Sequence, residues 1–177
     1  YENYQGEAAK VETCMDLIRS GVAGENQVLV FSQFTTALSI IGKRLAQEGI
    51  PCYTLTGATS KEKRAKLVAD FNQDKTPVFL ISLKAGGTGL NLTAASIVIH
   101  FDPWWNMAAQ NQATDRAHRI GQRQVVTVYK LLMKDTLEEK IQKLQEQKAQ
   151  LSDEIISEGS IRDTLATKEE LLEILRN

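Results

Sequence analysis

The sequence predicts an α/β protein in which an open, mainly parallel sheet is covered by helices on both faces. Short runs of apolar, largely β-branched residues recur along the chain, and few polar residues interrupt them. Such runs are typical of strands that are buried on both faces. Segments with helical spacing of apolar residues lie between the runs, and this alternation of strand and helix favours parallel strands joined by crossover helices.

The elements follow one another in a regular order. The predicted strands are residues 28–31, 52–55, 78–81, 97–101 and 125–132. The predicted helices are residues 8–20, 35–47, 60–71, 107–119, 137–151 and 168–175. Gly21 is expected to end the first helix as a C-cap, and Ser60 is expected to be the N-cap of the third. Residues 152–167 have no strong pattern and predict a loop.

The composition excludes several classes of protein. Of the 177 residues, 42% are hydrophobic and 24% are charged, so the chain is not wholly disordered. No apolar run approaches the ~20 residues of a membrane-spanning helix. No signal peptide is visible, so we expect an intracellular protein. The compactness of the chain favours a prokaryotic cytoplasm over a nucleus. Because the first residue is Tyr1 and not Met, we expect a piece of a longer protein.

The potential metal ligands are scattered. Cys14 and Cys52 are far apart in the sequence, and so are His100 and His118. A zinc site needs closely spaced ligands, so we predict no metal site. We expect both cysteines to be reduced thiols that pack as small apolar residues.

Charge is unevenly distributed along the chain. Residues 151–177 carry seven acids and three bases, whereas residues 1–150 carry 18 bases and 15 acids. The net charge of −1 therefore combines a mildly basic body with an acidic tail. A local basic site for nucleic acid remains possible in the body.

Polar and glycine-rich segments follow the predicted strands. In open α/β sheets, ligands bind at the carboxyl ends of the strands. We therefore expect any chemistry to lie at this edge of the sheet, here called the carboxyl edge. The segments that reach it are residues 32–34, 56–60, 82–91 and 102–106.

The segment 82–91 has three glycines in four positions, Gly86, Gly87 and Gly89. Glycines let a backbone approach an anion and expose its N–H groups, and Lys84, Thr88 and Asn91 add polar side chains. The segment fits a phosphate, but it is equally compatible with a tight strand-to-helix turn without a ligand. Its spacing is neither that of a Walker A loop nor that of a dinucleotide fingerprint.

Two arginines lie near the end of the predicted helix 107–119. Arg116 and Arg119 are three residues apart and share a helix face. Asp115 can neutralise one of them, and a polyphosphate can bind both through bidentate hydrogen bonds. A solvated basic helix end explains the pair as well. Trp104 and Trp105 fit either packing beneath the site or a contact surface.

Together these segments resemble the C-terminal RecA-like lobe of superfamily-two helicases, and more narrowly the Swi/Snf-type DNA-dependent ATPases. The resemblance covers residues 8–150. Residues 28–34, which end in Phe-Ser-Gln-Phe, resemble motif IV, and residues 55–64 resemble the DNA-contacting motif that follows it. Motif V is matched by residues 81–92 and motif VI by residues 112–122, with Gln122 in place of the arginine common in RNA helicases. Met107 and Asn111 depart from the flanking pattern, where a proline and an acid are common.

The resemblance implies one half of a two-lobed motor that binds ATP with Mg²⁺ and moves along double-stranded DNA. Arg116 and Arg119 would be arginine fingers, and Gln112, Gly87 and Asp115 would lie at the nucleotide. The implied DNA contacts are Gly57, Thr59, Arg64, Lys84, Gly86, Thr88, Gly89 and Asn91. The chain has no Gly-Lys-Ser/Thr and no acidic Walker B motif, so the N-terminal RecA-like lobe would hold most of the nucleotide. The isolated chain is then expected to be monomeric and to hydrolyse no ATP.

The expected organisation is a helicase lobe over residues 1–135, a brace helix over 136–151 and an acidic extension over 152–177. A non-catalytic DNA- or protein-binding module derived from a helicase lobe is the alternative. Such a module would have no reason to keep both arginines, so their presence favours the motor. A phosphate-binding metabolic enzyme is disfavoured because the strand ends carry no acid/base pair.

Overall fold

The computed structural model describes residues 5–86, 90–102 and 126–133, together with Lys143. The chain divides into two compact units, Tyr1–Met133 and Lys134–Asn177, and the sheet belongs to the first. The predicted helices 107–119 and 168–175 lie outside the described residues. So do the proposed brace helix and acidic extension, apart from Lys143.

Within the described residues, five parallel strands form one sheet. They are β1 (Val28–Ser32), β2 (Cys52–Leu55), β3 (Val78–Ser82), β4 (Ile97–His100) and β5 (Thr127–Lys130). Their spatial order is β2-β3-β1-β4-β5, and every neighbouring pair is parallel. The structure thus confirms the predicted α/β fold and the positions of the strands.

Helices cover both faces of the sheet. They are α1 (Gln5–Ala23), α2 (Thr35–Gln47), α3 (Lys61–Gln73) and the single turn α4 (Leu83–Gly86). On one face, Met15 of α1 and Ile41 of α2 pack against alternate strand residues such as Val30. On the other face, Phe71 of α3 packs at 5.1 Å between ring centroids against Phe79. Successive side chains of a strand point to opposite faces of the sheet, so the strands contribute to two separate cores.

The start of α3 forms as the sequence predicts. Ser60 has an extended backbone, and its hydroxyl accepts a hydrogen bond from the Lys63 backbone N–H at 3.3 Å. This bond satisfies one of the donors that the first turn of a helix leaves without a partner.

The end of α1 differs from the prediction. Gly21 was expected to be a C-cap, but the helix continues to Ala23. A Cβ on Gly21 would lie 2.9 Å from both Ile97 Cδ1 and Val28 Cγ2. The glycine is therefore used for close packing of α1 on β1 and β4, and the chain turns later, where Glu25 has a φ of 57°.

Burial differs between the middle and the edge of the sheet. β1 and β3 are buried along their whole length, as predicted for strands covered on both faces. All four residues of β5 are exposed, so that prediction is wrong for the last strand. Among the strands that the structure describes, β5 is at the edge of the sheet and pairs with β4 alone.

Both cysteines pack as predicted. Cys14 is on the buried face of α1, and Cys52 is half-buried against the same core cluster. Within the part of the chain that the structure describes, no helix is long and apolar enough to cross a membrane.

Candidate functional site

The carboxyl edge brings together segments that are far apart in the sequence. Because the strands are parallel, the residues after β1, β2, β3 and β4 all emerge at this edge. In register at this level lie Ser32 with Ser82, and Phe31 with His100.

Asp102 occupies the centre of the edge, two residues after β4. Its side chain is buried, with the residue 5% exposed, and its Oδ2 accepts two hydrogen bonds. One comes from Ser32 Oγ at 2.5 Å and the other from the Gln33 backbone N–H at 2.9 Å. Ser32 Oγ in turn accepts from the Phe34 N–H at 3.0 Å. These bonds fix the β1–α2 connection, residues 32–34.

A buried lysine lies over the ring of the residue that precedes Asp102. Lys10 of α1 is 7% exposed, and its Nζ lies 5.3 Å from the centre of the Phe101 ring. Burial raises the pKa of the Cys14 thiol to about 12; Asp102 also raises it, while Lys10 lowers it. Two opposite charges therefore act on one buried thiol from the same neighbourhood.

Sequence reasoning gave Lys10 and Asp102 no role. A signal for Lys10 was available, because Lys10 and Cys14 are four residues apart and so share the buried face of α1. The pairing of Asp102 with Ser32 joins residues 70 positions apart. No local pattern encodes such a contact.

His100 is buried at the end of β4. Its ring stacks on Phe31 with 5.6 Å between centroids and a 21° angle between the planes. Burial lowers the pKa of His100 from 6.5 to about 4, with a further lowering by Lys130 on β5. His100 is therefore neutral at physiological pH, and it acts as a packing residue at the base of the edge.

The connection between β2 and α3 carries two of the predicted DNA-contacting residues. Gly57 is exposed, and nothing lies within 4 Å of the position that a Cβ would take. Thr59 closes the turn: its N–H donates to the Thr56 carbonyl and its Oγ1 accepts from the Thr56 N–H, both at 3.1 Å. A hydroxyl that accepts in this way still has a proton to donate to an anion.

Arg64 connects this segment to the turn after β3. It lies in the first turns of α3, is half-buried, and donates from Nη1 to the Ala85 carbonyl of α4 at 3.4 Å. The structure thus brings the predicted contact residue Arg64 to the start of the glycine-rich segment. Lys84 and Gly86 are in α4, but only their backbone is described.

The far end of the glycine-rich segment is tied to α3. Asn72 Nδ2 donates to the Asn91 carbonyl at 2.7 Å, and the Ala94 N–H donates to Asn72 Oδ1 at 3.2 Å. Asn91 itself is exposed. Both ends of the segment are therefore held by side chains of α3.

The remaining predicted site residues lie outside the described residues. They are Gly87, Thr88, Gly89, Gln112, Asp115, Arg116 and Arg119. Their assigned roles stay predictions. Within the described ranges, no group of three or more His, Cys, Asp and Glu side chains could hold a metal ion.

An all-parallel sheet with helices on both faces and with its polar segments at the carboxyl edge is a RecA-like α/β fold. Residues 9–121 match the helicase conserved C-terminal domain. The chain therefore belongs to that family. This match extends through the sequence that contains Arg116 and Arg119.

Individual relatives agree with the family. The chain is 43% identical over 166 residues to the putative ATP-dependent helicase/translocase YwqA of Bacillus subtilis, covering 93% of this chain and 18% of that protein. It is 40% identical over 178 residues to an uncharacterized ATP-dependent helicase of Mycoplasma pneumoniae, covering 98% of this chain and 17% of that protein. The chain thus spans less than a fifth of the length of these relatives.

A solved structure shares the fold. The C-terminal part of the Fun30 ATPase domain superposes with a TM-score of 0.73 at 39% identity, covering 76% of this chain and 44% of that one. The relatives are Swi/Snf-type ATP-dependent helicases, which confirms the resemblance drawn from the motifs.

Proposed function

We propose that this chain is the second motor lobe of an ATP-dependent double-stranded DNA translocase of the Swi/Snf type. The observation that carries the proposal is the contact between Arg64 and Ala85, in a lobe of this family. It joins the two segments to which DNA contacts were assigned. A displacement of one of these segments can therefore be transmitted to the other through this hydrogen bond.

The DNA face would be the part of the carboxyl edge formed by the β2–α3 connection and the glycine-rich segment. Exposed Gly57 leaves room for a phosphate to approach the backbone, and the Thr59 hydroxyl has a proton to donate. Arg64 and the residues Lys84, Gly86, Thr88, Gly89 and Asn91 would complete this face. All of these contacts would be to the backbone and would carry no sequence specificity.

ATP and Mg²⁺ would be held mainly by the N-terminal RecA-like lobe. The described residues of this lobe do not fit a magnesium site, because Asp102, the buried carboxylate at the edge, already accepts from Ser32 and Gln33. A hard cation such as Mg²⁺ requires free oxygen ligands. No catalytic step is therefore assigned to a metal bound by this lobe.

The contribution of this lobe to catalysis would be positive charge. Arg116 and Arg119 would stabilise the negative charge that develops on the transferring phosphoryl group. Gln112, Gly87 and Asp115 would help to place the phosphates and the attacking water. The alternative, a module that binds DNA or protein without catalysis, gives these residues no role.

The test is ATP turnover by a two-lobe protein that contains this chain, with and without duplex DNA. We expect duplex DNA to stimulate turnover at least ~10-fold, as for a coupled motor. The isolated chain, which lacks the Walker motifs, should release no phosphate under the same conditions. Binding of DNA without any turnover by the two-lobe protein would favour the non-catalytic module. Turnover by the isolated chain would contradict the two-lobe proposal.

A further inference from the structure

The proposed function gives no role to two buried charged residues, Asp102 and Lys10. We propose that Asp102 is a positioning residue that fixes the β1–α2 connection, and that buried Lys10 balances its charge. The catalytic part of this inference rests on the proposed function. The positioning part depends only on the chain itself.

One oxygen atom organises the connection. Asp102 Oδ2 accepts from both Ser32 Oγ and the Gln33 N–H. Ser32 Oγ in turn accepts from the Phe34 N–H, so Phe34 is held as well. α2 begins directly afterwards at Thr35, and no side-chain hydrogen bond caps it at Phe34. The network around Asp102, rather than a helix cap, therefore sets the direction in which the chain enters α2.

Burial makes the charge of Asp102 costly unless it is compensated. An ionised carboxylate removed from water needs hydrogen bonds and an opposite charge. The two hydrogen bonds are present, and Lys10 supplies a buried positive charge that acts on the same Cys14 thiol as Asp102 does. Lys10 also contacts the ring of Phe101, the residue before Asp102. α1, β1 and β4 are thus joined at one point.

The Asp102 network joins the β1–α2 connection to the residue after which the segment 103–125 follows in the sequence. On one side it holds Gln33 and the 55% exposed Phe34 at the edge. On the other side, Asp102 is followed in the sequence by the segment that contains Gln112, Arg116 and Arg119. A fixed Asp102 would tie the β1–α2 connection to the residue that precedes this segment. Loss of the hydrogen bonds should then lower the rate of the chemical step more than the affinity for ATP.

Amide hydrogen exchange on the chain tests the positioning directly. Asp102→Ala should accelerate exchange at Gln33 and Phe34 at least ~10-fold, because the Gln33 N–H loses its acceptor and Ser32 Oγ, the acceptor of the Phe34 N–H, loses the carboxylate that holds it. Asp102→Asn should stay near wild type, since a single amide oxygen can accept both bonds that Oδ2 accepts now. Ser32→Ala should accelerate exchange at Phe34, and it replaces Asp102→Ala if that variant does not fold.

The matched control is Ser96→Ala. Ser96 is buried at the amino end of β4, and its hydroxyl donates to Asn26 Oδ1 at 2.6 Å. Ser96→Ala removes a comparable hydrogen bond, but at the amino ends of the strands and away from Asp102. Equal acceleration at Gln33 and Phe34 in Ser96→Ala and Asp102→Ala would show only a general loss of stability and would overturn the proposal.

A double-mutant cycle tests the role of Lys10. The urea midpoints of Lys10→Met, Asp102→Asn and the double variant are compared with that of wild type. The double variant should lose less than the sum of the two single losses, because it leaves no unbalanced buried charge. Strict additivity would remove Lys10 from the proposal.

Steady-state kinetics of the two-lobe protein test the catalytic part. Asp102→Ala should lower kcat at least ~10-fold with little change in KM for ATP, whereas Asp102→Asn should restore most of the rate. Ser96→Ala should leave both constants unchanged. An unchanged kcat in a variant with accelerated exchange would overturn the catalytic part. A wild-type protein without DNA-dependent turnover would instead refute the proposed function, and the exchange result would still decide the positioning.

Discussion

Ser32 and Ser82 are paired in register at the carboxyl ends of β1 and β3, yet among the described residues only one of the two buried hydroxyls has a hydrogen-bond partner. Ser32 Oγ bonds to Asp102 and to the Phe34 N–H. Ser82 is 3% exposed, and within the described residues its Oγ has no hydrogen-bond partner. We therefore expect the Ser32 hydroxyl to stabilise the fold and the Ser82 hydroxyl to destabilise it.

The first prediction compares alanine variants of these two serines in the chain. Ser32→Ala should lower the free energy of unfolding by about 1–3 kcal/mol, because it leaves buried groups without partners. Ser82→Ala should be neutral or stabilising by up to about 1 kcal/mol, because it removes a buried hydroxyl that makes no bond. Urea denaturation of both variants is the measurement. Equal destabilisation would mean that the Ser82 hydroxyl has a partner in solution.

The second prediction concerns the dependence of stability on pH. His100 takes up a proton near pH 6.5 when unfolded but only near pH 4 when folded, because burial lowers its pKa. Between these values the unfolded state binds more protons, so stability falls as the pH falls. Above pH 6.5, His100 does not lower the free energy of unfolding. By pH 4, its protonation in the unfolded state lowers that free energy by up to about 3 kcal/mol.

Urea denaturation between pH 7.5 and 4 measures this effect. His100→Gln should flatten the pH dependence over this range relative to wild type. Lys130→Met should raise the His100 pKa, because the charge of Lys130 lowers that pKa beyond the effect of burial. The pH interval over which stability falls should then become narrower. A histidine that titrates near pH 6.5 in the folded chain would show that water reaches the ring.

Local features of the sequence predict much of this fold. The bounds of α2 and β2 agree with the prediction at every residue, because Gly49 and Pro51 separate them and their apolar spacing has a clear period. The end of α1 was missed because the role of Gly21 depends on Val28 and Ile97, which are distant in sequence. A glycine needed for close packing looks the same in a sequence as a glycine that ends a helix.

The candidate site shows the same division. Family motifs led to Gly57, Thr59 and Arg64, and the structure places all three near the carboxyl edge. The Asp102 network was not foreseen, because the bonds of Asp102 join it to residues about 70 positions away in the sequence, Ser32 and Gln33. Polar residues at strand ends indicate where a site lies, but their partners are set by the sheet order, which the sequence did not specify.

The third prediction concerns DNA binding by the isolated chain. The body is only mildly basic, so binding should be weak and should fall steeply with salt, as expected for contacts to phosphates. Arg64→Gln should weaken binding and reduce the slope of log K against log salt by about one. Arg44→Gln is the control, since Arg44 lies in the last turn of α2, away from the carboxyl edge, and pairs with Glu12 at 3.2 Å.

Fluorescence anisotropy with a labelled duplex at several salt concentrations measures both quantities. Weaker binding with an unchanged slope would assign Arg64 to holding α4 through Ala85 rather than to a phosphate. Binding that does not respond to salt at all would argue against backbone contacts by this edge.

The last prediction concerns Arg116 and Arg119 in the two-lobe protein. Either Arg116→Ala or Arg119→Ala should remove most ATP turnover, by ~10³-fold or more for a true arginine finger, while DNA binding stays nearly intact. The charge of a finger is worth more in the transition state than in the ground state, so kcat should fall more than nucleotide affinity. Lysine should not rescue either position, because it lacks the planar fork that binds two phosphate oxygens. Thr88→Ala, by contrast, should weaken stimulation by DNA and spare basal hydrolysis. Steady-state turnover of the variants with and without duplex DNA is the measurement. Wild-type turnover by Arg119→Ala would make this residue a solvated helix end and remove the central assignment of the motor proposal.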